Sequence, residues 1–122
     1  MPPRCALAAA VLARSGPVHV LIHSAGGLLP AAARTREGID RGFAQNFLGA
    51  FLLTRLLEER LLASSPTRVI AVGSAAHKLL NSADLDALIR PGTSDPRMGS
   101  RQRGRYQMRS YQIAKLAVTR SR

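Results

Sequence analysis

Tyr111 and Lys115 stand four residues apart. On a helix that spacing sets an ammonium about one turn from a phenol on the same face. The positive charge favours the phenolate, as a group exchanging protons near neutrality requires. The same spacing is common on ordinary solvated helices, so the pair gains meaning from what lies around it. Two further polar sites follow apolar runs: Ser24-Ala25-Gly26 comes after Val18–Ile22, and Ser74 comes after Arg68–Val72. In open α/β sheets the ligand crevice lies beyond the carboxyl ends of the strands. If the two runs are strands, these residues stand where a ligand binds.

The elements needed to hold them can be read from spacing. Residues 5–14 predict a helix ended by Gly16-Pro17. Val18–Ile22 and Arg68–Val72 predict short β-branched strands of the kind buried on both faces in a parallel sheet. From Glu37 to Ala63, Ile39, Phe43, Phe47, Ala50, Phe51, Leu53, Leu57 and Leu61 recur at three- and four-residue intervals, predicting a long helix with a break near Asn46 to Gly49. Phe43, Phe47 and Phe51 read as a packing stripe. Residues 81–105 are rich in Pro, Gly, Ser and Arg, which predicts a long surface excursion, flexible over 90–105, with a short helix possible at Ala83–Ile89. Tyr111–Arg122 predicts a final helix. Strands alternating with crossover helices predict a single domain over 1–122, a doubly wound parallel α/β layer.

Composition narrows the classes. The chain has 122 residues, no Trp and few aromatics, so aliphatic side chains must build a thin core. Its formal charge is +11, but residues 1–96 hold ten Lys/Arg against all seven acids, whereas 97–122 hold eight Lys/Arg and none. The excess belongs to the tail. One cysteine, Cys5, forms no internal disulfide, so a reducing cytoplasm is the expected location. The apolar run Cys5–Ala13 is too short to span a membrane, and its passage through Gly16-Pro17 into a strand suits a helix better than a secretion signal.

Taken together and in order, the motifs resemble the short-chain dehydrogenase/reductase family. Leu21-Ile-His-Ser-Ala-Gly26 is similar to the family's Asn-Asn-Ala-Gly segment. Phe43-Ala-Gln-Asn46 through Phe51 resembles the helix with its catalytic asparagine. Arg68-Val-Ile-Ala-Val-Gly-Ser74 resembles the strand ending in its catalytic serine, and Tyr111-Gln-Ile-Ala-Lys115 its Tyr-x-x-x-Lys helix. The resemblance covers nearly the whole chain as an internal stretch of the family's fold. Val72–His77 and the long interval from Ser74 to Tyr111 resemble the retinol-dehydrogenase-like and protochlorophyllide-reductase-like branches. The resemblance implies a catalytic set of Asn46, Ser74, Tyr111 and Lys115, a cofactor set of Ser24, Ala25, Gly26, Tyr111 and Lys115, and NADP or NAD as cofactor. Tyr111 would exchange a proton with an alcohol or carbonyl oxygen that Ser74 also holds. Lys115 would hold the nicotinamide ribose, and Asn46 would position a water.

Against the family pattern, His23-Ser24 replace two asparagines and Ala114 stands where many members have serine. The Gly-rich phosphate turn that follows the family's first strand is absent, as are the second and third strands, so the expected fold is a partial Rossmann-type sheet lacking its N-terminal strands. Activity from this stretch alone is not expected, and association with a chain supplying missing strands is one route to a complete site. Val72-Gly-Ser-Ala-Ala76 is no hydrolase elbow. His19 and His23 lie along a strand without cysteine or carboxylate nearby, so no metal is expected. The rival function is a polyanion- or nucleic-acid-binding module using Arg97, Arg101, Arg103, Arg105 and Arg109, with Tyr106 and Tyr111 stacking on bases. With no recognisable nucleic-acid motif, a solvated arginine-rich face is the simpler account.

Overall fold

The computed structural model describes residues 3–29, 34–80 and 99–120. They fall into two compact units, one from Met1–Ser24 and Leu48–Val72, the other from Ala25–Phe47 and Gly73–Arg122. The predicted Ala83–Ile89 helix and most of the 90–105 excursion lie outside the described residues.

In the first unit, helix α1 (Pro3–Leu12) leads to strand β1 (Val20–His23), and helices α3 (Gly49–Leu56) and α4 (Glu58–Ala63) lead to strand β2 (Arg68–Ala71). The strands pair in parallel, with Ile22 opposite Ile70 and His23 opposite Ala71. Buried Ala8, Leu57 and Leu61 form the core, packed by Val11, Val18, Leu21 and Leu53. Leu57 is fully enclosed, so truncating it to Ala should cost about 2–5 kcal/mol. Polar groups close the layer. The Arg60 guanidinium donates to the carbonyls of Leu12, Arg14 and Gly16, satisfying the end of α1. Buried Ser64 accepts from the Val18 N–H and donates to the Arg60 carbonyl, joining α4 to the start of β1.

The expectation of strands buried on both faces is not met. Leu21 packs into the core, but Ile22 is 57% and Ile70 44% exposed. Alternate strand residues point to opposite faces, and the core cluster takes up only the Leu21 side. The β-branched run is therefore a true strand signal and a poor burial signal.

In the second unit, the antiparallel bridge between Arg34 and Asp40 closes a turn in which Gly38 takes φ +81°. Residues 37–40 thus form this turn rather than helix, because the chain needs a left-handed residue there. Helix α2 (Arg41–Phe43) begins at Asp40 and passes into a π-helical turn, Ala44–Leu48. The break expected near Asn46 to Gly49 is this widened turn. A wide turn inserts about one residue's rotation, roughly 100°, into the helical phase. The phenylalanine stripe accordingly fails at its last member: Phe43 is buried with its ring centroid 5.3 Å from that of Phe47, whereas Phe51 is exposed.

After β2 comes a 3-10 turn (Ala75–Leu79), and the final helix α5 runs Ser100–Arg120. It starts ahead of the predicted Tyr111, so residues 100–105, expected in the surface excursion, are helical. Arginine and glutamine are good helix formers, which offsets the cost of about 1 kcal/mol that a glycine such as Gly104 imposes inside a helix. The buried residues of α5 are Ser110 and the five successive Ile113, Ala114, Lys115, Leu116 and Ala117, more than a full turn, so the helix is enclosed all round there. No helix among the described residues is long and apolar enough to cross a membrane.

His23 gives the first unit a pH response. Thr54 Oγ1 donates its one proton to the Ala50 carbonyl, so it must accept, at 2.7 Å, from an Nε2–H of His23. Burial holds the imidazole below its usual range. A histidine with a depressed folded pKa takes up protons more readily when unfolded, so stability is present above about pH 6.5 and falls as pH drops below it. Thermal midpoints measured from pH 7.5 to 5 should decline in the parent. They should decline less in His23→Gln, whose amide can donate to Thr54 without titrating; equal slopes would refute the assignment.

Candidate active site

Asn46, Ser74, Tyr111 and Lys115 all belong to the second unit, as do Ala25 and Gly26; Ser24 ends the first and is exposed. Asn46, 3% exposed, spends its whole carboxamide on backbone. Its Oδ1 accepts from the Gly27 N–H at 2.8 Å, while Nδ2 donates to the carbonyls of Gly27 at 3.0 Å and Gly42 at 2.8 Å. One side chain therefore pins the glycine loop after β1 to the widened helical turn. The loop can come this close because Gly26 has no side chain. A Cβ there would stand 2.7 Å from Asn46 Oδ1 and 3.6 Å from Lys115 Nζ.

Lys115 is 5% exposed, and its Nζ lies 5.8 Å from the centroid of the half-buried Tyr111 ring. The structure thus gathers Gly26, Asn46, Lys115 and Tyr111 into one neighbourhood. Ser74 lies on a segment packed against α5: it caps the 3-10 turn, its Oγ accepting from the Ala76 N–H at 3.3 Å, and its carbonyl accepts from Nδ1 of His77. Gly73 beside it approaches Thr119 on the same helix, where a Cβ would meet the threonine methyl at 3.6 Å. The Ser74 hydroxyl is engaged with its own turn rather than hydrogen-bonded to Tyr111.

Sequence reasoning missed the anchor beneath this set. Asp40 is 2% exposed. Its Oδ1 accepts from the Phe43 N–H at 2.8 Å, starting α2, and from the Ser110 hydroxyl; its Oδ2 accepts from the Tyr106 hydroxyl at 2.8 Å. Gly42 makes room, since any Cβ there would collide with Ser110 Oγ. Burial, then the hydrogen bond and charge of Asp40, push the Tyr106 phenol up to about 12. A signal was present: an Asp three residues before an apolar helical residue is a cap pattern, and a glycine inside a helical pattern marks close packing.

Tyr106 is thus half-buried, with its hydroxyl tied to Asp40. Arg101, Arg103, Arg105 and Arg109 are exposed along the first half of α5, while Arg97 lies outside the described residues. Among the described residues there is no cluster of three metal-ligating side chains.

The family profile described as short chain dehydrogenase matches residues 4–83, and the chain belongs to that family. It is 42% identical over 74 residues to retinol dehydrogenase 12 of Homo sapiens, covering 61% of this chain and 23% of that protein. It is 44% identical over 75 residues to polyprenol dehydrogenase of Mus musculus, covering 57% and 22%. It is 38% identical over 89 residues to short-chain dehydrogenase/reductase prx1 of Penicillium roqueforti, covering 70% and 26%. The chain spans about a quarter of the length of these relatives. Family members are oxidoreductases of Rossmann-like fold that generally use NAD(P) and act on small molecules, and the parallel pair β1–β2 is consistent with part of that fold. The profile match takes in Gly26, Asn46 and Ser74 and ends before Tyr111 and Lys115, which rest on geometry.

The Asp40–Tyr106 bond can be checked spectroscopically. In a Tyr111→Phe chain, Tyr106 is the sole tyrosine, and its phenolate absorbance should rise near pH 12 in a rapid pH jump. Adding Asp40→Asn should lower the midpoint while leaving it above about 10, because burial remains. An unchanged midpoint would remove Asp40 from the account.

Proposed function

We propose that the chain carries the proton-transfer half of an NAD(P)-dependent short-chain dehydrogenase/reductase acting on an alcohol or carbonyl substrate. The supporting observation is the buried Lys115, whose ammonium lies beside the Tyr111 ring and against the side-chain-free face of Gly26. A buried ammonium, a phenol, a hydroxyl and open glycine backbone form a donor set suited to ribose hydroxyls and a reacting oxygen, so the residues present fit a nicotinamide dinucleotide. Lys115 and Tyr111 would hold its ribose, with Ala25 and Gly26 lending backbone.

When bound, the dinucleotide supplies or accepts the hydride. Tyr111 takes the hydroxyl proton as an alcohol is oxidised and returns it to the oxygen as a carbonyl is reduced. Ser74 donates to that same oxygen: its Oγ lone pair already accepts from the Ala76 N–H, so its own proton is available. Asn46 serves by holding the glycine loop, and its widened turn is the local distortion often found at functional sites. Because the matched stretch is about a quarter of each relative, the chain by itself is expected to bind dinucleotide weakly and not to turn over.

Thermal unfolding of the 122-residue chain with millimolar NADPH or NADH tests the proposal. A ligand at a hundred times its Kd adds about 2.7 kcal/mol to the native state. One nucleotide should raise the midpoint, and Lys115→Met should abolish the rise. A midpoint that neither nucleotide moves would defeat the proposal.

A further inference from the structure

We propose that Asp40 is a positioning residue of this site: through Ser110 and Tyr106 it fixes the rotation and register of α5, and thereby the placement of Lys115 and Tyr111. The assignment rests on the proton-transfer role proposed for that pair.

The helix crossing has two kinds of contact. The two helices carry buried apolar side chains, Phe43 on α2 and Ile113 on α5, and apolar burial is non-directional and tolerates sliding or turning of one helix on another. The carboxylate does not tolerate it, because hydrogen bonds demand particular distances and angles. Asp40 holds Ser110 and Tyr106, four apart and so on one face of α5, from a site itself fixed at the start of α2. Ser110 directly precedes Tyr111, so its bond sets where the tyrosine points, about 100° further round the helix. Lys115 follows about one turn beyond, next to Gly26 and Asn46. Asn46 is itself one helical step from Gly42, the residue whose missing side chain admits Ser110. Both sides of the site are thus referenced to the same short stretch, Asp40 to Asn46. A buried carboxylate commonly adds little net stability, whereas fixing one arrangement among several is a use to which such groups are put.

The chain has two lysines, exposed Lys78 and buried Lys115, so amine acetylation followed by peptide mass spectrometry contains its own reference. In the full chain with sulfo-NHS-acetate, Lys78 should react roughly tenfold faster than Lys115 or more, since Lys115 must wait for local opening. Asp40→Ser keeps a helix-capping oxygen but is too short to span the crossing, and should raise the Lys115/Lys78 ratio roughly threefold or more. Asp40→Asn keeps an acceptor for Phe43 and Ser110 and should restore most of the protection. Tyr106→Phe, the mildest change, should move the ratio in the same direction by less and serves if Asp40→Ser fails to fold. Leu57→Ala, compared at an equal margin below its own thermal midpoint, is the control for simple destabilisation. The proposal is overturned if Asp40→Ser or Tyr106→Phe leaves the ratio at the parent value, or if Leu57→Ala raises it equally. Adding 1 mM NADPH to the parent separates the two claims. If Lys115 is not slowed by the nucleotide yet is unprotected in Asp40→Ser, the cofactor role fails and the positioning role stands; slowing by nucleotide with no effect of Asp40→Ser is the reverse.

Discussion

A buried carboxamide can satisfy three partners at once only if the backbone around it is held at hydrogen-bond distance on every side. Asn46 does this: it accepts from Gly27 and donates to Gly27 and Gly42. That clamp ties the glycine loop to the widened turn, and removing any of its three contacts leaves a buried polar group unpaired at about 1–3 kcal/mol. The glycines make the clamp possible. At Gly26 a side chain would occupy the space of the carboxamide oxygen, and at Gly42 that of the Ser110 hydroxyl.

The two units are held by different physics. In the first, a small aliphatic cluster and a few capping bonds secure one face of a two-stranded sheet. In the second, polar Asp40, Asn46, Ser110 and Lys115, at 2–5% exposure, are buried as completely as Phe43, Ile113, Ala114 and Leu116. No buried side-chain polar atom among the described residues lacks a partner. Satisfied polar networks at low local dielectric are rigid and specific, and costly when incomplete. Such an environment suits proton transfer, where a misplacement of an ångström is expensive.

What the sequence made legible follows from how local the signal is. The β-branched runs located β1 and β2 to within two residues, and four-residue spacing located Lys115 one turn from Tyr111. Gly38 was readable as a turn residue only with φ in hand, so the helix was expected to begin at Glu37 rather than Arg41. The burial of the strands was misjudged because residue type reports preference, while exposure depends on which layers cover a face. At Asp40 only the helix cap was legible, not its hold on α5. Its partners on α5 lie 66 and 70 residues away, and no periodicity links an aspartate to a serine and a tyrosine at that separation.

The family match and the geometry therefore carry different parts of the account. Similarity over residues 4–83 establishes lineage and contains the glycine loop, Asn46 and Ser74, but it stops short of α5. For α5 the case is physical. Lys115 is 5% exposed, between buried Ala114 and Leu116. It lies next to the Tyr111 ring and the Gly26 backbone, in the unit that also holds Ser74. The Tyr-x-x-x-Lys spacing, ambiguous as a string of letters, becomes informative once the lysine is seen to be inside.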